Sequence, residues 1–79
     1  MININKYKEK AKYFFDNDLK AFIKDSNDQM YFCKILPPLD HPRLYIYNFD
    51  GPKIGTNSEI LWIDIELFTE YKEKGDIHK

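Results

Sequence analysis

The sequence predicts an α+β fold: a single small domain of one helix, four mostly antiparallel strands and a closing helix, with the sheet packed against one or both helices. Three observations predict it. Residues 4–15 carry apolar side chains at helical spacing; residues 19–36 alternate on both sides of a polar turn; and the late stretch EILWIDIELFTEYKEK passes from a β-branched apolar run into a helical pattern. Seventy-nine residues are enough for one domain with one small core and modest surplus stability. That domain is expected to span 1–79, with 75–79 as a frayed tail.

The first helix is expected over residues 5–15. Ile4, Tyr7, Ala11, Phe14 and Phe15 form its apolar stripe, and Lys6, Lys8, Lys10 and Lys12 its wet side. Asn3 or Asn5 can cap its start, and Asp16-Asn17-Asp18 ends it.

A hairpin follows. Asp25-Ser26-Asn27-Asp28-Gln29 is a cluster of side chains that bond local backbone, which reads as a turn. Setting Lys24 opposite Met30 pairs Ile23 with Tyr31, Ala21 with Cys33 and Leu19 with Ile35, an apolar face. The other face carries Lys20 with Lys34, Phe22 with Phe32, and Lys24 with Met30. A one-residue slip would mix the two sets, so the alternation itself favours this register. On the second face two lysines oppose each other beside two rings that favour dryness. Either it is an edge-protecting surface of a half-exposed sheet, or it is a binding face.

Pro37-Pro38-Leu39-Asp40-His41-Pro42 forbids a regular element and reads as a stiff connector, with His41 a solvated loop residue. Residues 43–49 form the next strand. Leu44, Ile46 and Asn48 share one side; Tyr45, Tyr47 and Phe49 share the other. One register sets Tyr45 and Tyr47 beside Lys34 and Phe32 and extends the aromatic, cationic face. The other buries the tyrosines, and the residues do not choose between them. Asp50-Gly51-Pro52 is a turn, and 53–58 a loop without phosphate-loop spacing.

The ending is ambiguous. Ile60, Ile63, Leu67 and Tyr71 fit helical spacing, yet ILWIDI suits a buried strand. The preferred reading is a strand over 59–65 and a helix over 66–74. Leu67, Phe68 and Tyr71 anchor that helix on the sheet, with Gly75 as C-cap and Lys72 and Lys74 near its end.

Bulk composition narrows function. Net charge is −1, which argues against a strongly basic nucleic-acid binder and against an acidic mimic of DNA. Six Phe, six Tyr and one Trp are a heavy aromatic load, which suits an interface as well as a core. The single cysteine, Cys33, excludes an internal disulfide framework and fits the core. Two histidines are too sparse for a metal site, and Asp64 with Glu66 reads as a solvent-facing pair on a strand rather than an acid-base dyad. No enzyme, cofactor or metal is expected. The lysine-rich amino end lacks a signal-peptide pattern, and no apolar run nears the roughly 18 residues of a membrane span, so a soluble cytoplasmic protein is expected.

The expectation for function is therefore a non-enzymatic protein-binding module. Its partner-binding residues are Lys20, Phe22, Lys24, Phe32, Lys34, Tyr45 and Tyr47, and the partner is another protein or a second copy of itself. Lysine outnumbers arginine eleven to one, a usage common in AT-rich genomes. It suggests a phage or mobile-element inhibitor that occludes a host enzyme or defence complex. The alternative is a single-stranded nucleic-acid binder that stacks bases on the same rings.

Overall fold

The computed structural model describes residues 4–72. Its elements are α1 (Ile4–Asp16), β1 (Lys20–Asp25), β2 (Met30–Leu36), β3 (Arg43–Asp50), β4 (Asn57–Leu61), a 3-10 turn (Trp62–Asp64) and β5 (Ile65–Glu70). The five strands form one antiparallel sheet in the order β4-β3-β2-β1-β5. No helix among the described residues is long and apolar enough to cross a membrane.

Helix α1 covers one face of the sheet. Ala11 and Phe14 are buried, and Ile4 and Tyr7 pack against the core, while Phe15, read as part of the stripe, is 41% exposed. The helix ends because Asp18 turns left-handed (φ 54°). Its N–H then reaches the Phe15 carbonyl (3.2 Å) and the Leu19 N–H the Phe14 carbonyl (2.9 Å), the paired bonds that satisfy a helix's last carbonyls. Asn5 lies inside the helix rather than capping it, and Asn3 lies outside the described residues.

The β1–β2 register is the one the alternation predicts: Lys20 with Lys34, Ala21 with Cys33, Phe22 with Phe32, Ile23 with Tyr31, Lys24 with Met30. The turn is built around one buried carboxylate. Asp25 accepts from the Asn27 N–H (2.9 Å), the Gln29 N–H (3.0 Å) and the Tyr31 hydroxyl (3.1 Å), so its burial costs no unmet bond.

In β3 the ambiguity resolves. Leu44, Ile46 and Asn48 face the core, and Tyr45, Tyr47 and Phe49 face away. Asn48 can sit inside because its amide donates to the Thr56 carbonyl (3.0 Å) and the Ser58 hydroxyl (2.9 Å). A bulge between β2 and β3 sets Lys34 opposite Tyr47 and Phe32 opposite Asp50, leaving Phe49 as the extra residue.

The ending differs from the sequence reading. The strand expected over 59–65 breaks at the 3-10 turn, and the helix expected over 66–74 is replaced by β5 over its described part. The expected cap Gly75, Lys74 and the tail 75–79 lie outside the described residues. The reason is tertiary. β1 has a second edge to fill, and Ile65, Phe68 and their neighbours fill it: Ile23 opposes Phe68, and Phe22 opposes Thr69. The break has its own anchor. Trp62 is buried, and its indole N–H donates to the His41 carbonyl at 2.6 Å. His41, expected to be solvated, is instead half-buried with its ring 5.0 Å from that of Tyr45.

This short link dictates the shape of the sheet. β4 and β5 lie at opposite edges, which in a flat five-stranded sheet stand about 19 Å apart. Four Cα steps from Leu61 to Ile65 reach at most about 14 Å. The sheet must therefore curl. It curls toward the helix side, where Ile23, Cys33, Leu44, Ile46, Trp62 and Ile65 are almost wholly enclosed.

Two core groups titrate late. Burial pushes the Cys33 thiol up to about 12. Burial, then the hydrogen bond to Asp25, pushes Tyr31 up to about 12. Both groups must stay neutral in the fold and ionise at lower pH once unfolded. Their stabilisation is thus complete below the ordinary thiol and phenol range and is lost as pH rises toward 12. Denaturant unfolding at stepped pH should show stability level to about pH 9, then falling by up to ~1.4 kcal/mol per pH unit for each group. Cys33→Ala should remove the earliest part of that fall. A wild-type profile flat to pH 11 would contradict the assignment.

Candidate functional site

The sheet face turned away from α1 has no described element upon it. All seven residues singled out from sequence, Lys20, Phe22, Lys24, Phe32, Lys34, Tyr45 and Tyr47, lie on this face. Strand alternation puts them there, because their odd-even partners point into the core. Further aromatic or apolar contributors lie outside those seven, among them Phe49, Tyr71, Leu67, Met30 and Leu61. Phe49 was legible, since it shares a side with Tyr45 and Tyr47. Tyr71 and Leu67 fit helical spacing, which hides their place opposite Lys20 and Lys24.

The centre of the face is a ring cluster. Phe22 and Phe32 have centroids 5.1 Å apart; Tyr71 lies 5.6 Å from both Phe32 and Phe49, edge-on to the former. These separations fall in the favourable range for aromatic pairs. The rings shelter one another, so Phe22, Phe32 and Phe49 are half-buried rather than protruding. The more exposed apolar groups sit around them. Met30 (51%), Tyr47 (39%), Leu61 (40%) and Leu67 (44%) are the exposed large apolar side chains borne by strands, and all four belong to this face.

The lysines are not left as bare charges. Lys34 Nζ pairs with Asp18 at 2.8 Å, and Lys24 Nζ with Asp28 at 3.1 Å. The Lys34 contact holds the Asp18 carboxyl below its usual value, and Asp28 raises Lys24 above its own. Lys20 Nζ lies 4.9 Å from the centroid of Phe49, a cation–π contact. The repulsion expected between Lys20 and Lys34 is thus relieved by turning each toward a different neighbour.

Toward the β4 edge the face opens into a groove of about 500 Å³, lined by Leu36, Pro37, Tyr45, Asn57, Ser58 and Glu59. Arg43 Nη1 bridges to Glu59 Oε1 at 3.0 Å beside it. Asp64 and Glu66, read as a pair on one strand, separate into the 3-10 turn and a β5 irregularity. Among the described residues no group of three or more His, Cys, Asp or Glu side chains is placed to hold a metal ion.

Comparison of the chain with protein-family models, with curated proteins and with solved structures finds no match.

One glycine fixes the cluster's outer wall. Gly51 has φ +87°, and a Cβ added to it would stand 2.9 Å from Phe32 Cδ2. Gly51→Ala is expected to cost ~1–3 kcal/mol, combining left-handed strain with displacement of the ring. In a Phe32→Ala background only the backbone part should remain. A double-mutant cycle from urea unfolding checks this, and strict additivity of the two changes would contradict the contact.

Proposed function

We propose that this chain is a small non-enzymatic protein-binding module that works by covering a partner's surface with its open sheet face. The observation that carries the reading is the gathering of the strands' exposed apolar side chains on one face, around a packed aromatic centre. An apolar, aromatic patch rimmed by charged groups is the usual make-up of a protein interface, in which central rings supply most of the energy and the rim excludes water. The finer reading is occlusion of a host enzyme or defence complex by a phage or mobile-element protein. Its support is compositional: lysine outnumbers arginine eleven to one.

The alternative, a single-stranded nucleic-acid binder, draws on the same rings. Charge weighs against it. Two of the three lysines on the face are paired with Asp28 and Asp18, and the chain as a whole is at −1. Counterion release from phosphates needs cations that are free to be given to the ligand.

The test is capture of partners by wild type, Phe32→Ala and Lys34→Glu, beside binding of a labelled oligonucleotide over a salt series. Lys34→Glu removes an exposed ion pair and should change stability by less than about 1 kcal/mol, so lost binding would not report unfolding. Both substitutions are expected to lower recovery of the same captured protein by about tenfold or more. Equal recovery by all three proteins removes this face from the account. Oligonucleotide binding that falls steeply with salt selects the alternative.

A further inference from the structure

The two edges of the sheet are built differently, and the difference bears on how a partner is held. At β5 the Tyr71 N–H donates to the Lys20 carbonyl (2.9 Å). Alternation then makes Phe22 with Thr69 a bonded pair and turns the Phe68 carbonyl outward. Lys10 from α1 reaches round and takes that carbonyl through its ammonium. An irregularity between the β1 partners Lys24 and Asp25 leaves Glu66 unpaired, which further spoils this edge as a template.

β4 has neither device among the described residues. The Asn48 N–H donates to the Thr56 carbonyl (2.8 Å), so Leu44, Ile46 and Asn48 bond toward β4. Ser58 and Ile60 oppose Ile46 and Leu44, and therefore bond inward. The N–H and C=O groups of Asn57, Glu59 and Leu61 point outward along a regular stretch. The side chains of these same residues stand on the open face, opposite Tyr47, Tyr45 and Arg43, and Asn57 and Glu59 line the groove.

We infer that the outer edge of β4 receives an extended, basic segment of a partner protein as a sixth strand. This deepens the protein-binding reading and rests on it. Main-chain bonds to Asn57, Glu59 and Leu61 would supply affinity, as in other strand additions, and alternate side chains would supply selectivity. The row on the open face reads amide, carboxylate, aliphatic. Arg43 occupies only Oε1 of Glu59, so Oε2 can accept from a Lys or Arg placed directly across from it. An apolar residue of the segment would meet Leu61, which is 40% exposed. A second copy of this chain fits poorly, because self-pairing at full overlap sets Glu59 against Glu59.

The experiment selects a displayed library of random unstructured peptides against the purified chain and measures the recovered peptides on three variants. Glu59→Pro removes an N–H that faces outward, so an edge strand can bear it, and circular dichroism with thermal unfolding confirms the fold. Glu59→Lys keeps that N–H and reverses the charge. Recovered peptides should alternate polar and apolar residues around a central Lys or Arg. Affinity should drop about tenfold or more on each Glu59 variant, and by more than it does on Phe32→Ala. Peptides that lose binding on Phe32→Ala and keep it on both Glu59 variants would overturn the edge assignment while leaving the aromatic face as a protein site. Failure to recover alternating basic peptides would overturn it as well. So would a dimer in sedimentation that Glu59→Pro dissolves, because the occupant would then be a second copy.

Discussion

Three residues decide the geometry of this protein. The 3-10 turn Trp62–Asp64 joins the two outermost strands of the sheet, and a link that short cannot cross a flat sheet. The turn is held by its own side chain: Trp62 is enclosed in the core, and its indole N–H is satisfied by the His41 carbonyl. Losing a buried tryptophan costs on the order of 3–5 kcal/mol, a large share of what a domain this size has to spare. Curling brings the inner faces of all five strands toward α1 and concentrates the core there. The outer residues of β1, β2 and β3 are then left on the convex side, with no described element to cover them.

The convex side is managed rather than simply exposed. The bulge at the β2–β3 seam supplies Phe49 as an additional ring, and Phe49 receives both Tyr71 and the ammonium of Lys20. The left-handed Asp18, which ends α1, also presents a carboxylate to Lys34. One backbone irregularity and one helix terminus thus settle the clash between facing lysines that the β1–β2 register creates. The lysines stay on the face with Lys34 and Lys24 each paired to a carboxylate and Lys20 set over the Phe49 ring.

How far the fold was legible depends on whether a local pattern or a distant partner made the decision. The β1–β2 hairpin was legible because polar and apolar residues alternate with period two, and any slip puts charge into the core. The end of the chain was not. Leu67, Phe68 and Tyr71 satisfy helical spacing, and what overrides it is the vacant edge of β1, some forty residues earlier in the chain. The orientation of β3 was undecidable for a similar reason. Both of its sides are apolar enough to bury, and the inward side is settled by Thr56 and Ser58, which satisfy the Asn48 amide from outside the strand. Five residues of the candidate site, Lys20, Phe22, Lys24, Phe32 and Lys34, followed from alternation in the hairpin, while Tyr45 and Tyr47 depended on the orientation of β3. Tyr71 and Leu67 could be placed only once β5 was known to be a strand.

The charge arrangement gives the face its character. A surface meant for phosphates gains by holding its cations apart from acids, so that the ligand can replace condensed counterions. Here the acids come from just outside the strands that carry the lysines, Asp18 before β1 and Asp28 within the hairpin turn, and each is close enough to claim an ammonium. A neutralised rim around packed rings lowers the cost of drying the patch, because the charges it must desolvate are already paired. On the protein-binding reading proposed above, that suits a protein surface better than a polyanion. It also shifts the burden of selectivity away from the centre of the face and toward groups at its margin with bonding capacity left over. At the β4 margin that capacity is Glu59 Oε2 and the outward backbone groups on either side of it.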